Sequence, residues 1–166
     1  TILAELRDEL RRDQIELLSD DLPATCQLRC RGEHLDSILR NLILNARDAL
    51  RERRSAKSDD QSLVPRIVCS AQPTEFPDGR PAWELQVKDN GSGIPSQNRA
   101  RIFEPFFSTK PSTGTGLGLN TVRKLIWIYG GEIRFENPEA GGTVFYLRLP
   151  AAVSESALPG AGALGG

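Results

Sequence analysis

Hydrophobic residues recur at helical spacing along several stretches of this 166-residue chain. The clearest helix is predicted over residues 33–53, where Leu, Ile and Ala side chains return every three or four positions. Its first turn is acidic and its end is basic, which suits the helix dipole. Shorter helices are predicted over residues 1–12, 99–103 and 117–129. The glycine pair Gly130-Gly131 ends the last of them.

Short apolar runs bounded by turn residues predict strands in the rest of the chain. These strands are expected over residues 14–18, 25–29, 66–72, 83–88, 132–135 and 143–149. The last four should pair as two hairpins, because Asp78-Gly79 and Gly141-Gly142 are typical turn signals. Helices and strands do not alternate one for one. We therefore expect an α+β fold, a two-layer α/β sandwich with a mixed, mostly antiparallel sheet and helices on one face.

Composition places the chain among globular proteins, since 39% of its residues are hydrophobic and 26% are charged. We expect one domain over residues 1–150 and a low-complexity Ala/Gly/Ser/Pro tail over 151–166. A net charge of -1 gives no bulk electrostatic reason to bind nucleic acid. No apolar run approaches the ~20 residues of a membrane span, and because an acidic residue comes early with no basic region before it, we expect residues 1–12 not to be a secretory signal. Because the chain contains no Met, we expect it to be a piece of a longer protein.

The three cysteines Cys26, Cys30 and Cys69 are too few for a disulfide-stapled fold. No Cys or His cluster completes a zinc-binding set around them. They are expected to be small buried hydrophobic residues on strands.

A first candidate site lies on the long helix, where Asn41, Asn45 and Asp48 fall at positions i, i+4 and i+7. This spacing places them on one edge of the helix, beside the apolar stripe. Amide and carboxylate oxygens of this kind suit a hard cation. A solvated polar edge would show the same pattern, so both interpretations stay open for the triplet alone.

A second candidate is the segment 89–95, Asp-Asn-Gly-Ser-Gly-Ile-Pro, which directly follows a predicted strand. Its glycines would let the backbone approach a flat ligand closely. A carboxylate at the end of a strand can accept a hydrogen bond from an exocyclic amine. A plain turn is the alternative.

Two further segments come between that turn and the last apolar helix. Residues 114–119, Gly-Thr-Gly-Leu-Gly-Leu, run into the helix and could present backbone N–H groups to a phosphate, although a flexible hinge would also explain the glycines. They match neither a Walker motif nor a dinucleotide fingerprint. Residues 103–110 hold three of the six Phe and end on Lys110. They predict either a core plug or the hinge of a lid, and residues 108–115 are expected to be mobile.

In this order the four segments resemble the catalytic ATP-binding domain of bacterial sensor histidine kinases, within the GHKL ATPase superfamily. Residues 41–46 resemble its N box, 89–93 its G1 box, 103–107 its F box and 114–119 its G2 box. The resemblance covers roughly residues 1–150.

The resemblance implies that the domain binds ATP with Mg²⁺ and transfers the γ-phosphoryl group to a histidine on a separate domain. It implies that Asn45 ligates Mg²⁺, that Asn41 flanks the metal, and that Asp89 accepts a hydrogen bond from the adenine amino group. The implied catalytic residues are Asn41, Asn45 and Lys110. The implied nucleotide-binding residues are Asn45, Asp48, Asp89, Gly91, Gly93, Ile94, Phe103, Lys110, Gly114, Thr115, Gly116, Leu117, Gly118, Leu119 and Thr143.

Two positions of the long helix distinguish this chain within the superfamily. Many members carry Lys where this chain has Asp48, so Arg47 and Lys110 become the candidates for the phosphate contact, with Lys110 preferred. Members that hydrolyse ATP carry Glu where this chain has Asn41. An amide cannot take a proton from water, which disfavours hydrolysis and suits transfer to a protein.

The only histidine, His34, lies in no acceptor-like context and is expected at the surface. The implied partners are an upstream dimerisation and phosphoacceptor helical hairpin and a downstream response regulator. The fragment is expected to be a monomer and its parent a homodimer. A cytoplasmic location is implied, whether or not the parent is anchored in the inner membrane. Two alternatives stay open: a degenerate nucleotide-binding regulatory module, and an anti-sigma-factor serine kinase, which Asn41 and the long F box disfavour.

Overall fold

A computed structural model of the chain describes residues 1–56, 62–107 and 118–152. Within these ranges the elements are α1 (Ile2–Arg11), β1 (Glu16–Asp21), α2 (Gly32–Ala56), β2 (Arg66–Glu75), β3 (Pro81–Asp89), α3 (Gly118–Ile128), β4 (Glu132–Glu136) and β5 (Thr143–Pro150). A single 3₁₀ turn, Ser96–Asn98, lies between β3 and α3 in the described part of the chain. None of the described helices is long and apolar enough to cross a membrane.

The five described strands form one sheet in the order β1-β2-β3-β5-β4. β1 runs parallel to β2, whereas the other three neighbouring pairs are antiparallel. The predicted mixed, mostly antiparallel sheet and its two hairpins are therefore confirmed. The pairing places Asp89, the last residue of β3, opposite Thr143, the first residue of β5.

One face of the sheet carries the hydrophobic core. Cys69 pairs with Val87, and Val87 pairs with Phe145, so their side chains point to the same face and are buried together. Glu84 and Arg148, a pair on the opposite face, belong to a layer of charged residues. The helices cover the first face with buried side chains of Leu6, Leu10, Ile38, Leu42, Ile43, Leu50, Val122 and Ile126.

Ion pairs fasten α1 to α2 beside this core. The Glu9 carboxylate accepts a hydrogen bond from Arg47 at 2.7 Å, and Asp13 pairs with Arg51 at 2.6 Å. Arg47 also lies 3.5 Å from the neighbouring Asp48 carboxylate. The Arg47 side chain is thus held against α1, which disfavours it as a phosphate contact.

The strand predicted over residues 25–29 is wrong. Leu28 makes a single bridge to Ala151, where Arg29 N–H donates to the Pro150 carbonyl at 2.8 Å. The reason is that β4 pairs with β5 up to Arg148, so only the few residues of β5 after Arg148 have an open edge. This short edge accommodates one bridge but not a strand.

The cysteine prediction holds for only one of the three residues. Cys26 and Cys30 are half-buried in the connection before α2 and lie on no strand. Cys69 is buried in β2, and burial raises the pKa of its thiol to about 12. At that pKa the Cys69 thiol stays protonated at neutral pH and packs as a small apolar group.

The short helix predicted over residues 99–103 is also wrong. This segment is a run of tight turns, in which Arg101 N–H donates to the Asn98 carbonyl and Glu104 N–H to the Arg101 carbonyl. Such bonds three residues apart do not build an α-helix, whose bonds span four. In contrast, α2 extends three residues beyond its predicted end, to Ala56.

Candidate functional site

Asp89 is a buried carboxyl group at the end of β3, with only 4% of its surface exposed. Its Oδ1 accepts a hydrogen bond from the Gly91 N–H at 2.8 Å. Burial raises the pKa of this carboxyl to about 6, although the backbone N–H groups of Gly91 and Thr143 act to lower it. A buried carboxyl that titrates near neutral pH at the mouth of a loop is a strong candidate for a binding group.

The loop that follows Asp89 lies directly on α2. A Cβ on Gly91 would stand 2.8 Å from the Ala49 backbone, so only glycine fits this approach. Ser92 N–H donates to the Ala49 carbonyl at 3.2 Å and fastens the loop there. Because Ala49 comes four residues after Asn45, this loop crosses α2 one turn beyond Asn45.

The first residue of α3 contacts the same helix at Asn41. A Cβ on Gly118 would stand 2.9 Å from the Asn41 side-chain oxygen. The Asn41 amide nitrogen donates to the Ser37 carbonyl at 2.7 Å, which orients the side chain. α3 therefore begins against α2 one turn before Asn45.

Asn45 lies between these two crossings, about 6 Å along the helix from each. Its side chain is half-buried and makes no hydrogen bond within the parts of the chain that the structure describes. Asp48, on the same helix edge, approaches Arg47 at 3.5 Å and Arg51 at 4.0 Å. The polar edge predicted from the spacing thus lies between the β3 loop and the start of α3, and we call this region the cleft.

A second turn closes the cleft beside Asp89. Thr143 is buried, and its hydroxyl donates to the Asn137 side-chain oxygen at 3.4 Å. The Asn137 amide nitrogen in turn donates to the carbonyl of Ile94, which is half-buried, at 2.8 Å. Gly93 packs on the same turn, where a Cβ would meet the Gly142 carbonyl oxygen at 3.2 Å. Asn137 was not predicted as a site residue, although its position between β4 and a glycine turn is a usable signal.

The phenylalanine-rich segment divides into buried and exposed parts. The Phe103 ring packs on Phe135 at 6.2 Å between centroids, whereas Phe106 is 79% exposed with a left-handed φ of 62°. The core plug predicted from this segment therefore describes Phe103 but not Phe106. Asn120 of α3 is buried and donates to the Phe103 carbonyl at 3.0 Å, a contact that the sequence did not predict. Leu119 packs beside it against the core.

Five of the implied nucleotide-binding residues lie outside the described residues. They are Lys110, Gly114, Thr115, Gly116 and Leu117. The predicted mobile segment 108–115 falls in the same gap.

His34, which the sequence predicts at the surface, contacts Tyr129 directly after α3. The ring is half-buried, and its Nδ1 lies 2.6 Å from the Tyr129 hydroxyl. The Arg31 N–H donates to the same hydroxyl at 3.1 Å. A hydroxyl has one proton and two lone pairs, so Tyr129 can accept from the Arg31 N–H and bond to His34 Nδ1 in the same arrangement.

The family model described as Histidine kinase-, DNA gyrase B-, and HSP90-like ATPase matches residues 30–153. The chain belongs to this family. The match includes α2, the Asp89 loop and the turn before β5, so the cleft lies within the family's shared domain. The resemblance to the histidine-kinase ATPase domain is confirmed.

The similar proteins are much longer sensor kinases. The chain is 36% identical over 160 residues to the two-component sensor PprA of Pseudomonas aeruginosa, and 34% identical over 166 residues to the sensor kinase CckA of Brucella abortus. Each alignment covers 93% of this chain but only 16% and 17% of those proteins. The chain thus spans about a sixth of the length of these relatives.

Solved structures share the fold. The mycobacterial sensor histidine kinase MprB superimposes with a TM-score of 0.68 at 25% identity, over 90% of this chain and 92% of that one. Full-length ShkA in complex with AMPPNP gives a TM-score of 0.68 at 23% identity, over 92% of this chain and 29% of that one. The predicted two-layer fold class is confirmed.

Proposed function

We propose that this chain binds Mg²⁺-ATP and transfers the γ-phosphoryl group to a histidine on a separate helical-hairpin domain of its parent protein, as part of two-component signalling. In this proposal residues 1–150 are the catalytic ATP-binding domain and residues 151–166 are a tail. A response regulator would receive the phosphoryl group from the hairpin. The family membership and the sensor-kinase relatives support the assignment.

One observation supports the proposal most directly. Asp89 is a buried carboxyl that accepts from backbone N–H groups and from no side chain among the described residues, and it lies where the β3 loop meets α2 close to Asn45. A buried acceptor in this position suits the exocyclic amino group of adenine, which is a hydrogen-bond donor. Gly91 and Gly93 have no side chains, so the loop backbone can approach the base closely, and Ile94 offers an apolar side chain to it.

The residues around Asn45 fit a magnesium-bound triphosphate. The half-buried amide oxygen of Asn45 is a hard ligand that the described structure leaves unengaged. The start of α3 at Gly118 adds the positive end of a helix dipole next to Asn41. When bound, Mg²⁺ would neutralise the charge that develops on the phosphate oxygens during transfer.

The side chain at position 41 favours transfer over hydrolysis. Asn41 already donates its amide nitrogen to the Ser37 carbonyl, and its oxygen cannot take a proton from water near pH 7. In the transfer step, a neutral imidazole nitrogen of the acceptor forms a bond to the γ-phosphorus, the bond to the β–γ bridging oxygen breaks, and ADP leaves. The imidazole then loses its remaining ring proton to solvent. We propose Lys110 as a further phosphate contact.

Transfer is tested by incubating the chain with Mg²⁺ and γ-labelled ATP, alone and together with the separated hairpin domain. We expect acid-labile phosphate on the hairpin histidine and none on the chain alone. His34 should stay unlabelled, because it lies seven residues before Asn41, ~10 Å along a rigid helix, and is bonded to Tyr129. Mass spectrometry locates the phosphate.

A hairpin whose acceptor histidine is replaced by Gln is the control, and it should take up no label. Label on His34 of the isolated chain would overturn the separate-acceptor assignment. ATP binding without any transfer to the hairpin would favour the degenerate nucleotide-binding module instead.

A further inference from the structure

Arg53 stands apart from the other arginines at the end of α2. It is half-buried, whereas its neighbours Glu52 and Arg54 are exposed. Its Nη1 donates to the carbonyl oxygen of Asn90 at 2.7 Å and to that of Gly91 at 3.2 Å. Arg53 lies on α2 eight residues beyond Asn45, ~12 Å along the helix axis. From there its side chain reaches the loop that follows Asp89.

The peptide group between Asn90 and Gly91 is held from both sides. Its carbonyl oxygen accepts from Arg53, and its N–H donates to the Asp89 Oδ1 at 2.8 Å. A peptide group is planar and rigid, so fixing its oxygen also fixes the direction of its N–H. The N–H that binds the Asp89 carboxyl therefore belongs to the same rigid group whose oxygen Arg53 holds.

The same guanidinium also touches the turn before β5. A Cβ on Gly141 would stand 2.9 Å from the Arg53 Nη1, so the two groups are in close contact. Arg53 thereby links α2, the helix on which it lies, to the Asp89 loop and to the Gly141 turn. Hydrogen bonds from a charged donor are stronger than neutral ones, which suits a group that must hold a short loop in place. Both bonds come from Nη1 of a planar guanidinium, whose N–H groups point in fixed directions, whereas a lysine ammonium is a point charge on a flexible stem.

We infer that Arg53 is a positioning residue for adenine recognition: it fixes the Asn90-Gly91 peptide group and through it the Asp89 carboxyl. This inference rests on the proposed nucleotide-binding function. Arg53 acts on the base end of the nucleotide and not on its phosphates, because its contacts are confined to the loop and turn beside Asp89.

The test compares Arg53→Met with Arg54→Met in the 166-residue chain. Arg54 is the matched control, since it is the next residue and donates to a loop carbonyl elsewhere, that of Asp13, at 2.9 Å. Calorimetry measures the dissociation constants of ADP and of purine riboside diphosphate, which lacks the 6-amino group. The ratio of the two constants reports the contact between the amino group and Asp89.

We expect Arg53→Met to reduce the preference for ADP by about tenfold, with little change in the affinity for purine riboside diphosphate. Arg53→Lys should recover part of the preference, and Arg54→Met should keep all of it. A merely structural role would weaken both nucleotides alike and leave the ratio unchanged, and that result would overturn the inference. Thermal melting of each variant identifies any loss of fold, and Arg53→Lys serves as the test if Arg53→Met does not fold.

The wild-type ratio separates this inference from the function on which it rests. A wild-type chain without preference for ADP would contradict the proposed role of Asp89 itself. A wild-type preference that Arg53→Met retains would contradict only the role of Arg53.

Discussion

The Asp89 carboxyl has a pKa of about 6 instead of its ordinary 3.8, because burial outweighs the two backbone hydrogen bonds that favour its charge. Between these two values the folded chain binds a proton that the unfolded chain has released. The contribution of Asp89 to stability therefore falls as the pH rises through this interval, and above pH 6 the folded state carries the full cost of a buried charge. The ionised carboxylate favours the binding of a ligand amine, whereas its burial lowers the stability of the fold.

Asp89→Asn is expected to separate these two effects. The amide does not titrate, so the free energy of unfolding of the variant should gain about 1.5 kcal/mol relative to wild type between pH 5 and pH 7.5. ATP affinity should fall, because the amide can present a donor to the adenine amino group. Urea unfolding at the two pH values checks the first effect and calorimetry the second. Parallel pH profiles for the two proteins would contradict the raised pKa.

Asn45→Ala is expected to leave the fold intact and to impair the metal-dependent step. The rate of Mg²⁺-dependent phosphotransfer should fall at least about tenfold, since a metal ligand is lost, while metal-free ADP binding changes little. Ser55→Ala is the control, because Ser55 is an exposed residue on the same helix whose hydroxyl donates to the Arg51 carbonyl. An unchanged rate in Asn45→Ala would remove this residue from the metal site.

At the scale of elements, the end of β3 and the turn before β5 form one packed unit. Gly142 has a φ of 87°, and a Cβ there would overlap the Asp89 carbonyl oxygen. Gly79 has a similar φ of 84° in the β2–β3 turn, but a Cβ there would meet open space. The two glycines therefore share one conformational requirement and differ in packing.

Replacing each glycine by Ala should separate conformational strain from packing. Gly79→Ala should cost about 1 kcal/mol of unfolding free energy, the price of the left-handed backbone alone. Gly142→Ala should cost about 3 kcal/mol or more, because the overlap with the Asp89 backbone adds to that strain. Chemical denaturation measures both. Equal losses at the two positions would show that the turn yields without moving Asp89.

The elements differed in how far the sequence could predict them. The apolar periodicity of α2 and the paired strands around Asp78-Gly79 and Gly141-Gly142 depend on local signals, and the structure confirms them. Residues 25–29 also alternate like a strand, but their pairing depends on how far β5 extends beyond β4, which no local pattern encodes. Residues 99–103 are apolar enough for a helix, yet their backbone forms consecutive turns.

The same distinction applies to the site. Asp89, Asn45 and the glycines stand in motifs, so the sequence predicts them as a set. Arg53 and Asn137 act through contacts with backbone carbonyls of distant residues, and only the fold brings those carbonyls to them. Positioning residues of this kind carry little sequence signal, because many side chains can occupy the end of a helix or a turn.

At the scale of the whole molecule, one end of the sheet meets the middle of α2. β3 ends at Asp89 and β5 begins at Thr143 on neighbouring strands, while the start of α3 approaches the same helix one turn away from Asn45. The core on the helix-covered face holds these parts in fixed relation, and ion pairs fasten α1 to α2. The cleft is thus a consequence of the fold and not of any one loop.

The central claim is that this cleft recognises Mg²⁺-ATP through the Asp89 carboxyl. Calorimetric titration of the wild-type chain with ATP and with GTP, both with Mg²⁺, tests it most directly. Guanine presents a carbonyl oxygen where adenine presents an amino group, and a buried carboxylate cannot pair with another acceptor. We predict that ATP binds at least about tenfold more tightly than GTP. Equal affinities, or no binding of ATP, would contradict the claim.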